Sequence, residues 1–307
     1  MVDSMRVALL CTAADEFALL LDTCVRAGHT PVVYAAPRSR RPGGATTPES
    51  EAAVNAIVRN VPGSVDLVLS SRAANLASAL AGYATDLIVC YCFPWRLPPA
   101  VLALPRLGAV NLHPSTLPRY RGPIPVHWAI RNGDTTIGLT AHWMDEDFDS
   151  GPLIVQRGGI PVDDDETADR LFGRIHAAVP DLLTDALKMI SAGSPGHPQE
   201  EASASTAGWM EPAFLAVDWS NTARSIHNQV RTFRFATSGT RGPTALVNGE
   251  LVEILQTRLE PPGRIQVECG DGPIWIIECV SAHHAPDDPI PWIATRASDR
   301  PRAGSDP

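Results

Sequence analysis

Short apolar runs separated by amphipathic segments dominate the first 190 residues. Five runs are apolar along nearly their whole length, at residues 5–11, 30–36, 65–70, 85–93 and 108–113. Such runs are typical of strands that are covered on both faces of a parallel sheet. Between the first two runs, residues 15–28 repeat apolar side chains at helical spacing and end at a glycine, which predicts a helix.

This strand–helix–strand alternation predicts a Rossmann-like, doubly wound, mostly parallel α/β sheet. Further helices are predicted at residues 51–60, 73–81, 122–134 and 165–192, and a further strand at 136–144. Pro180 is expected to kink or divide the last helix. No G-x-G-x-x-G follows the first strand, where "CTAADEF" stands instead, so a dinucleotide cofactor is not expected.

A change of composition divides the chain near residue 190. Residues 191–208 are rich in Ser, Gly, Pro and Ala, which predicts a linker. A helix is predicted at 216–233, and four short strand-like runs separated by Gly, Pro and Asn turns follow it. We therefore expect four parts: a first domain (1–190), a linker (191–210), a small β-rich, barrel-like domain (211–295) and a disordered tail (296–307).

Composition and charge narrow the class of protein. The 307 residues are 44% hydrophobic and 19% charged, which is the composition of a globular protein. The formal net charge of −9 gives no broad basic surface for nucleic acid. No stretch reaches the roughly 18 apolar residues of a membrane span, and no leader pattern is present, so we expect a cytoplasmic protein without membrane contact.

The cysteine pattern favours buried, reduced thiols. Most of the six cysteines lie in apolar runs. Cys90 and Cys92 form a C-x-C pair with no second pair, so no metal site is expected.

Two polar side chains stand at the end of the fifth apolar run, in "NLHPSTLPRYRG". On a strand, Asn111 and His113 point the same way, and the carboxyl ends of parallel strands line the ligand crevice of an open sheet. An amide there can donate to a developing oxyanion, and an imidazole can donate or accept a proton near neutral pH. The alternative is a polar strand end that only hydrogen-bonds the next loop.

Four acidic residues crowd the next candidate segment, "HWMDEDFDSGP". Asp145, Glu146 and Asp147 have the composition of a solvated turn. Asp149 differs because it follows an aromatic residue and precedes Ser-Gly, a tight turn that can fold its carboxylate inward. A buried carboxylate beside an imidazole can hold one tautomer and raise its basicity.

The stretch "NLHPSTLPRYRGPIPVHWAIRNGDTTIGLTAHWMDEDFDSGPLIVQ" resembles the formyltransferases that use 10-formyltetrahydrofolate. This family includes methionyl-tRNA formyltransferase, glycinamide ribonucleotide transformylase and the sugar N-formyltransferases. Its pattern is N-x-H-P-S-L-L-P, then R/Y-x-G and later D-x-G-P, and the chain departs from it only at Thr116. The resemblance covers roughly residues 5–190 and extends weakly to "DWSNTARSIHNQVR".

The resemblance implies transfer of a formyl group from 10-formyltetrahydrofolate to an amine, with tetrahydrofolate as a product. It implies that Asn111 and His113 stabilise the oxyanion, and that Asp149 orients His113 and relays the amine proton. In some family members a histidine at the place of His142 pairs with the catalytic aspartate. The alternative for His142 is a strand histidine with its hydrogen bonds satisfied.

Other residues receive expectations from the same resemblance. Ser115, Pro118 and Gly122 are expected to shape the loop after the catalytic strand, and Arg119 and Arg121 either bind an anionic group or lie on the surface. Arg119, Arg121 and Gly122 together are the residues expected to bind the substrate. The folate pocket is expected between two segments, Phe93, Pro94, Trp95, Arg96 and Leu97 on one side and Asp145, Glu146 and Asp147 on the other.

The acceptor amine is less constrained. Arg38, Arg40 and Arg41 stand where the tRNA enzyme has a basic loop, but the C-terminal part has few basic residues and lacks N-P-W-P-G-A after its helix. A small molecule is therefore favoured over tRNA, namely a nucleotide-linked amino sugar or an N-hydroxyornithine. The β-rich domain either contacts the acceptor or forms a homodimer. A folate hydrolase and a folate-binding protein without activity are the remaining alternatives.

Overall fold

Seven strands form one mixed sheet in the computed structural model, which describes residues 4–39, 47–282 and 290–294. The strands are β1 (Arg6–Leu10), β2 (Thr30–Pro37), β3 (Asp66–Ser70), β4 (Leu87–Tyr91), β5 (Gly108–His113), β6 (Thr136–Trp143) and β7 (Leu153–Pro161). Their order is β3-β2-β1-β4-β5-β6-β7. The first five pair in parallel and β6 runs antiparallel to β5, which confirms the doubly wound, mostly parallel prediction.

Seven α-helices lie in the described part of the chain. They are α1 (Ala14–Arg26), α2 (Pro48–Asn60), α3 (Leu76–Leu80), α4 (Pro99–Leu102), α5 (Pro125–Arg131), α6 (Ala168–Ser191) and α7 (Ala223–Thr237). The helix predicted at 73–81 is wrong as one element, because 3₁₀ turns flank α3 on both sides.

The long helix α6 begins later than predicted and is not divided at Pro180. It begins at Ala168 rather than 165, because the carboxylate of Glu166 accepts hydrogen bonds from the backbone N–H groups of Asp163 and Thr167 and closes a turn there. Pro180 lies inside the helix without dividing it. The four leucines of α6, Leu171, Leu182, Leu183 and Leu187, are fully buried, so packing holds the helix across the proline.

The strands at the centre of the sheet are buried, as the apolar runs predict. All five residues of β4 are buried, and the last four residues of β1 have no exposed surface. The strand order reverses between β1 and β4, and ligands of open α/β sheets bind beyond the carboxyl ends of the strands at such a place. The carboxyl end of β5, which carries Asn111 and His113, is next to this point.

The chain forms two compact units, each built from three segments. The first contains Met1–Arg121, Gly138–Gly158 and Arg174–Ser205, and the second contains Gly122–Ile137, Gly159–Gly173 and Thr206–Pro307. The contiguous boundaries predicted from the sequence (1–190, 191–210 and 211–295) remain a proposal about independently folding domains. Arg40, Arg41 and the tail at 296–307 lie outside the described residues.

The second unit contains the β-rich part that the sequence predicts. Its strands are β8 (Thr244–Val247), β9 (Glu250–Arg258), β10 (Ile265–Cys269) and β11 (Gly272–Ser281), which pair antiparallel in the order β10-β11-β9-β8. Val230 of α7 packs on Ala245, Ile254 and Ile276 of this sheet. Within the described residues, β10 and β8 are the two edges of the sheet.

The stretch predicted as a linker is fastened to the first unit as far as Ser205. His197 and Leu153 exchange two backbone hydrogen bonds of 2.8 Å. The hydroxyl of Ser205 accepts a hydrogen bond from the backbone N–H of Tyr120, and its carbonyl accepts one from Arg121. Small and polar composition here reflects close contact with a loop rather than freedom of the backbone.

All six cysteines are free thiols. Burial raises the pKa of Cys24 to about 12 and that of Cys11 well above its usual value, so these thiols are protonated near neutral pH. Within the part of the chain that the structure describes, no helix is both long and apolar enough to cross a membrane.

His127 of α5 gives a testable pH dependence of stability. Its ring packs against Phe235 and Trp292, with centroid distances of 5.4 and 5.6 Å, and burial lowers its pKa from 6.5 to about 4. Above pH 6.5 the ring is neutral in both states; as the pH falls from 6.5 to about 4 the unfolded chain binds a proton that the folded chain does not. Stability is therefore lost over this window, by about 2 kcal/mol after allowance for the partial exposure of the ring.

The substitution His127→Phe keeps an aromatic ring and removes the titration. We expect the free energy of unfolding of the variant, measured by denaturant titration at several pH values, to fall less steeply than that of the wild type below pH 6.5. Identical slopes for the two proteins would show that the ring is protonated equally in the folded and unfolded states.

Candidate active site

Asn111 and His113 lie on one face at the carboxyl end of β5. Leu112 between them is buried on the opposite face, so strand alternation alone brings the two polar side chains together. Asn111 pairs with Cys90 of β4 on one side and with His142 of β6 on the other. The antiparallel pairing of β5 with β6 thus places the imidazole of His142 beside the amide of Asn111.

Asp149 reaches the same place from the loop between β6 and β7. Its backbone is left-handed, with φ +53°, and its side chain is 11% exposed. Gly151 makes this loop possible, because a Cβ at that position would lie 1.9 Å from the carbonyl oxygen of Trp143. The hydroxyl of Ser150 donates to the carboxylate of Asp145, which closes the outer part of the loop.

Three side chains, those of Asn111, His142 and His113, converge on the carboxylate of Asp149. Its Oδ1 accepts a hydrogen bond of 3.2 Å from Nδ2 of Asn111 and lies 3.4 Å from Nε2 of His142. Its Oδ2 lies 3.5 Å from Nδ1 of His113. The structure therefore brings Asn111, His113, Asp149 and His142 together, as the sequence predicts; the chemical role of each is a separate question.

The other nitrogen of His113 has a backbone partner. Nε2 lies 2.8 Å from the carbonyl oxygen of Tyr120, and since a carbonyl only accepts, Nε2 carries the hydrogen. Nδ1 is then the nitrogen that gains or loses a proton, and it faces Asp149. Burial lowers the pKa of His113, while the nearby charge of Asp149 and the Tyr120 carbonyl act in the opposite direction.

The loop after β5 is held in shape by short polar contacts. The hydroxyl of Ser115 donates to the carbonyl of Arg119 at 2.7 Å, and the hydroxyl of Thr140 donates to the carbonyl of Ser115 at the same distance. Tyr120 has a left-handed backbone, with φ +62°, which turns its carbonyl toward His113. Ser115 and Pro118 thus lie where the prediction that they shape this loop requires, and Pro118 follows a cis peptide bond.

The three residues predicted to bind the substrate have other contacts. The guanidinium of Arg119 stacks on the ring of Tyr120 at 4.8 Å and donates to its hydroxyl. Gly122 has φ +122°, and a Cβ there would lie 3.0 Å from the carbonyl oxygen of Ala207. Arg121 is 13% exposed and pairs with Glu201 at 2.7 Å, so its charge is already matched within the chain.

Gln199 is a site residue that the sequence reasoning missed. Its Nε2 donates hydrogen bonds of 2.8 Å to the carbonyls of both Asp149 and Gly151. Its Oε1 accepts from Nε and Nη2 of Arg121, at 3.0 and 2.8 Å. Gln199 therefore clamps the loop of Asp149 to the loop after β5. It lies in a segment with the composition of a linker, and no local pattern distinguishes it.

The residues predicted to line a folate pocket divide into two groups. Trp95 and Leu97 are 5% and 2% exposed and belong to the apolar core of the first unit. Phe93 is partly buried and meets Trp95 edge-on, and Pro94 is exposed. Arg96 is exposed and crosses to the acidic loop.

Arg96 connects the two predicted pocket segments. It donates a hydrogen bond to the carbonyl of Glu146, lies 3.8 Å from the carboxylate of Asp147, and its guanidinium is 5.8 Å from the ring of Phe148. The segment after β4 and the acidic loop are thus neighbours. Their roles in binding remain predictions.

Comparison with known proteins identifies the class. The family model described as formyl transferase matches residues 5–187, which is more than half of the chain. The chain therefore belongs to the formyl transferase family, and it is a formyl-transferring enzyme. This confirms the resemblance found in the sequence.

Three individual proteins show how far the similarity extends. A methionyl-tRNA formyltransferase of Ruegeria pomeroyi is 32% identical over 294 residues, which cover 92% of this chain and 95% of that protein. A sugar N-formyltransferase from a Shewanella species has a similar fold, with a TM-score of 0.60, 17% identity, and coverage of 81% of this chain and 96% of that one. HypX from Aquifex aeolicus, solved with tetrahydrofolic acid, gives a TM-score of 0.60 at 18% identity.

The match to HypX covers 91% of this chain but only 45% of that protein, so this chain spans less than half of HypX. At identities below a fifth, the two solved structures support the fold and no more. The methionyl-tRNA formyltransferase is similar over nearly its whole length.

Substitution of Gln199 tests the clamp on the Asp149 loop. Gln199→Ala removes two donors to the carbonyls of Asp149 and Gly151, so we expect kcat for formyl transfer to fall about tenfold or more through misplacement of the carboxylate. Gln199→Glu should lose more, because a carboxylate would face two carbonyl oxygens. Steady-state kinetics with thermal unfolding in parallel measure both effects.

Glu200→Gln is the matched control. Glu200 is the next residue along the chain, and its exposed side chain contacts Ser203 instead. A wild-type kcat for Gln199→Ala would mean that the loop keeps its shape without the clamp.

Proposed function

We propose that the chain is an N-formyltransferase that moves the formyl group of 10-formyltetrahydrofolate to the amine of a small molecule. The observation that carries the proposal is the convergence of Asn111, His113 and Asp149 at one edge of the sheet, with all contacts within 3.5 Å. An amide donor, an imidazole and a shielded carboxylate are the groups that acyl transfer to an amine requires.

The residues around this edge fit a folate. Asp145, Glu146 and Asp147 offer carboxylate and carbonyl oxygens to the N–H groups of a pterin ring, and Phe93 offers an apolar side chain. Arg96 keeps the two segments adjacent through its bond to Glu146. A bound 10-formyltetrahydrofolate would supply the formyl group. The tetrahydrofolic acid held by HypX supports this choice of donor by analogy of fold.

Asp149, Asn111 and His113 each have a separate role in the formyl transfer. Asp149 accepts the proton that the amine loses as its nitrogen attacks. Asn111 donates an N–H to the oxygen on which negative charge develops. His113, fixed by the Tyr120 carbonyl with Nδ1 toward Asp149, takes up or returns a proton at that nitrogen. Removal of one donor to a developing oxyanion typically costs a factor of about 10²–10³ in rate.

Charge supports a small acceptor over tRNA. From residue 206 to the end, the chain has nine Arg and no Lys against twelve Asp and Glu, a net charge of −3. A polyanion is bound chiefly by an excess of cationic side chains, which this segment lacks. A nucleotide-linked amino sugar and an N-hydroxyornithine are the acceptor classes that we favour.

Methionyl-tRNA is the second candidate. The observation in its favour is the 32% identity to a methionyl-tRNA formyltransferase over 92% of this chain, which includes the C-terminal part. Of the three arginines in the expected basic loop, Arg38 lies within the described residues, whereas Arg40 and Arg41 do not.

An acceptor panel tests the proposal. Purified protein and 10-formyltetrahydrofolate are combined with nucleotide-linked amino sugars, N-hydroxyornithine, methionyl-tRNA or water alone, and release of tetrahydrofolate is followed. We expect turnover with one small amine, and a decrease of about 10²–10³ in kcat for His113→Ala and Asp149→Asn. His197→Ala, an exposed histidine in the same unit, is the matched control.

Each other outcome has a definite meaning. Turnover with methionyl-tRNA alone would replace the small acceptor with the second candidate. Turnover with water alone would make the chain a hydrolase. Turnover by His113→Ala and Asp149→Asn at the wild-type rate would remove these residues from the mechanism.

A further inference from the structure

His142 lies against the carboxylate of Asp149 but has no role in the chemistry described so far. Its Nδ1 is 2.8 Å from the carbonyl oxygen of Trp143, and its side chain is 2% exposed. Because a carbonyl only accepts, Nδ1 carries the hydrogen and the neutral ring presents a lone pair at Nε2. The backbone therefore selects the tautomer of His142.

The same arrangement occupies both N–H groups of the Asn111 amide. Nδ2 of Asn111 lies 3.2 Å from Oδ1 of Asp149 and 3.4 Å from Nε2 of His142. The carboxylate accepts only, which orients the amide nitrogen toward Asp149, and the bare Nε2 accepts the second N–H. In this form Asn111 has no N–H free for a developing oxyanion.

Nε2 of His142 is also placed to receive a proton from Asp149. It lies 3.4 Å from Oδ1, and two acceptor atoms at that distance attract each other only when a proton lies between them. Among the described residues, the titratable groups that face His142 are Asp149 and His113, whose ring centroid is 6.4 Å away. Asp149 is therefore placed between two imidazoles, and each has its other nitrogen held by a backbone carbonyl.

We propose that His142 is a positioning residue that stores the proton of the acceptor amine and thereby releases Asn111 to the oxyanion. This inference rests on the proposed function, since it needs an amine that delivers a proton to Asp149. It goes beyond a pairing of the histidine with the aspartate, because it ties the availability of the Asn111 N–H to the protonation of a neighbouring ring.

The proton is conserved through the cycle. As the nitrogen–carbon bond forms, an electron pair moves onto the formyl oxygen and the amine proton passes to Asp149 and then to Nε2 of His142. The new Nε2–H donates to Oδ1, and the N–H of Asn111 that faced Nε2 turns to the oxygen. When the carbonyl re-forms and the bond to the folate nitrogen breaks, the proton returns through Asp149 to that nitrogen.

The first test needs no turnover. Two-bond ¹H–¹⁵N correlation spectra of the ¹⁵N-histidine-labelled protein report which ring nitrogen carries hydrogen, and single substitutions at His142 and His113 assign their signals. At neutral pH we expect hydrogen at Nδ1 and a bare Nε2 for His142, and the opposite tautomer for His113. Hydrogen at Nε2 of His142 in the free enzyme would overturn the proposal.

The second test separates storage of a proton from packing. His142→Gln keeps an acceptor for the Asn111 amide but cannot hold a proton at that site, so we expect kcat to fall about tenfold to a hundredfold with folate affinity unchanged. His197→Gln is the matched control, since this histidine is exposed in the same unit.

Wild-type kcat in His142→Gln would reduce His142 to a packing role and overturn the proposal. If the wild type transfers formyl to no amine, the proposed function fails instead, and the tautomers seen by NMR still decide whether Asn111 is held as described.

Discussion

A carboxylate kept largely out of water is the constraint on which this site depends. Burial of a charge is costly unless fixed donors or a shared proton compensate it, and Asp149 is only 11% exposed. Asn111 and two imidazoles meet it, and each imidazole is held at its far nitrogen by a backbone carbonyl. The carboxylate of Asp149 is therefore stable only if β5 pairs with β6 and the loop between β6 and β7 keeps its conformation.

Three residues near this edge have left-handed backbone conformations, which residues other than glycine rarely adopt. Cys92, Tyr120 and Asp149 have φ of +52°, +62° and +53°. Such conformations persist where surrounding contacts over-determine them, and they concentrate at functional sites. Tyr120 and Asp149 show the reason directly, since one turns a carbonyl and the other a carboxylate toward His113. The energy of folding elsewhere in the unit offsets this local strain.

Strand periodicity was enough to predict the parallel sheet and the shared face of Asn111 and His113, and the resemblance to the formyltransferases implied that Asp149 lies beside them. These depend on short-range patterns and on a specific motif. Composition failed where a tertiary contact outweighed it: the stretch around Gln199 has the residues of a linker, yet it clamps the catalytic loop. Likewise, the charge of Arg121 suggests anion binding, but Glu201, 80 residues away, neutralises it. Contacts over such separations leave no local pattern.

The clamp by Gln199 also bears on where the functional piece of the chain ends. The family model stops at residue 187, and α6 ends at Ser191, yet the contacts that fasten the Asp149 loop and the loop after β5 come from Gln199 and Ser205. A fragment cut at the end of α6 would keep every side chain of the polar cluster and lose the brace that holds two of its loops. A fragment that keeps these contacts therefore extends at least to Ser205, past the end of the family model at residue 187.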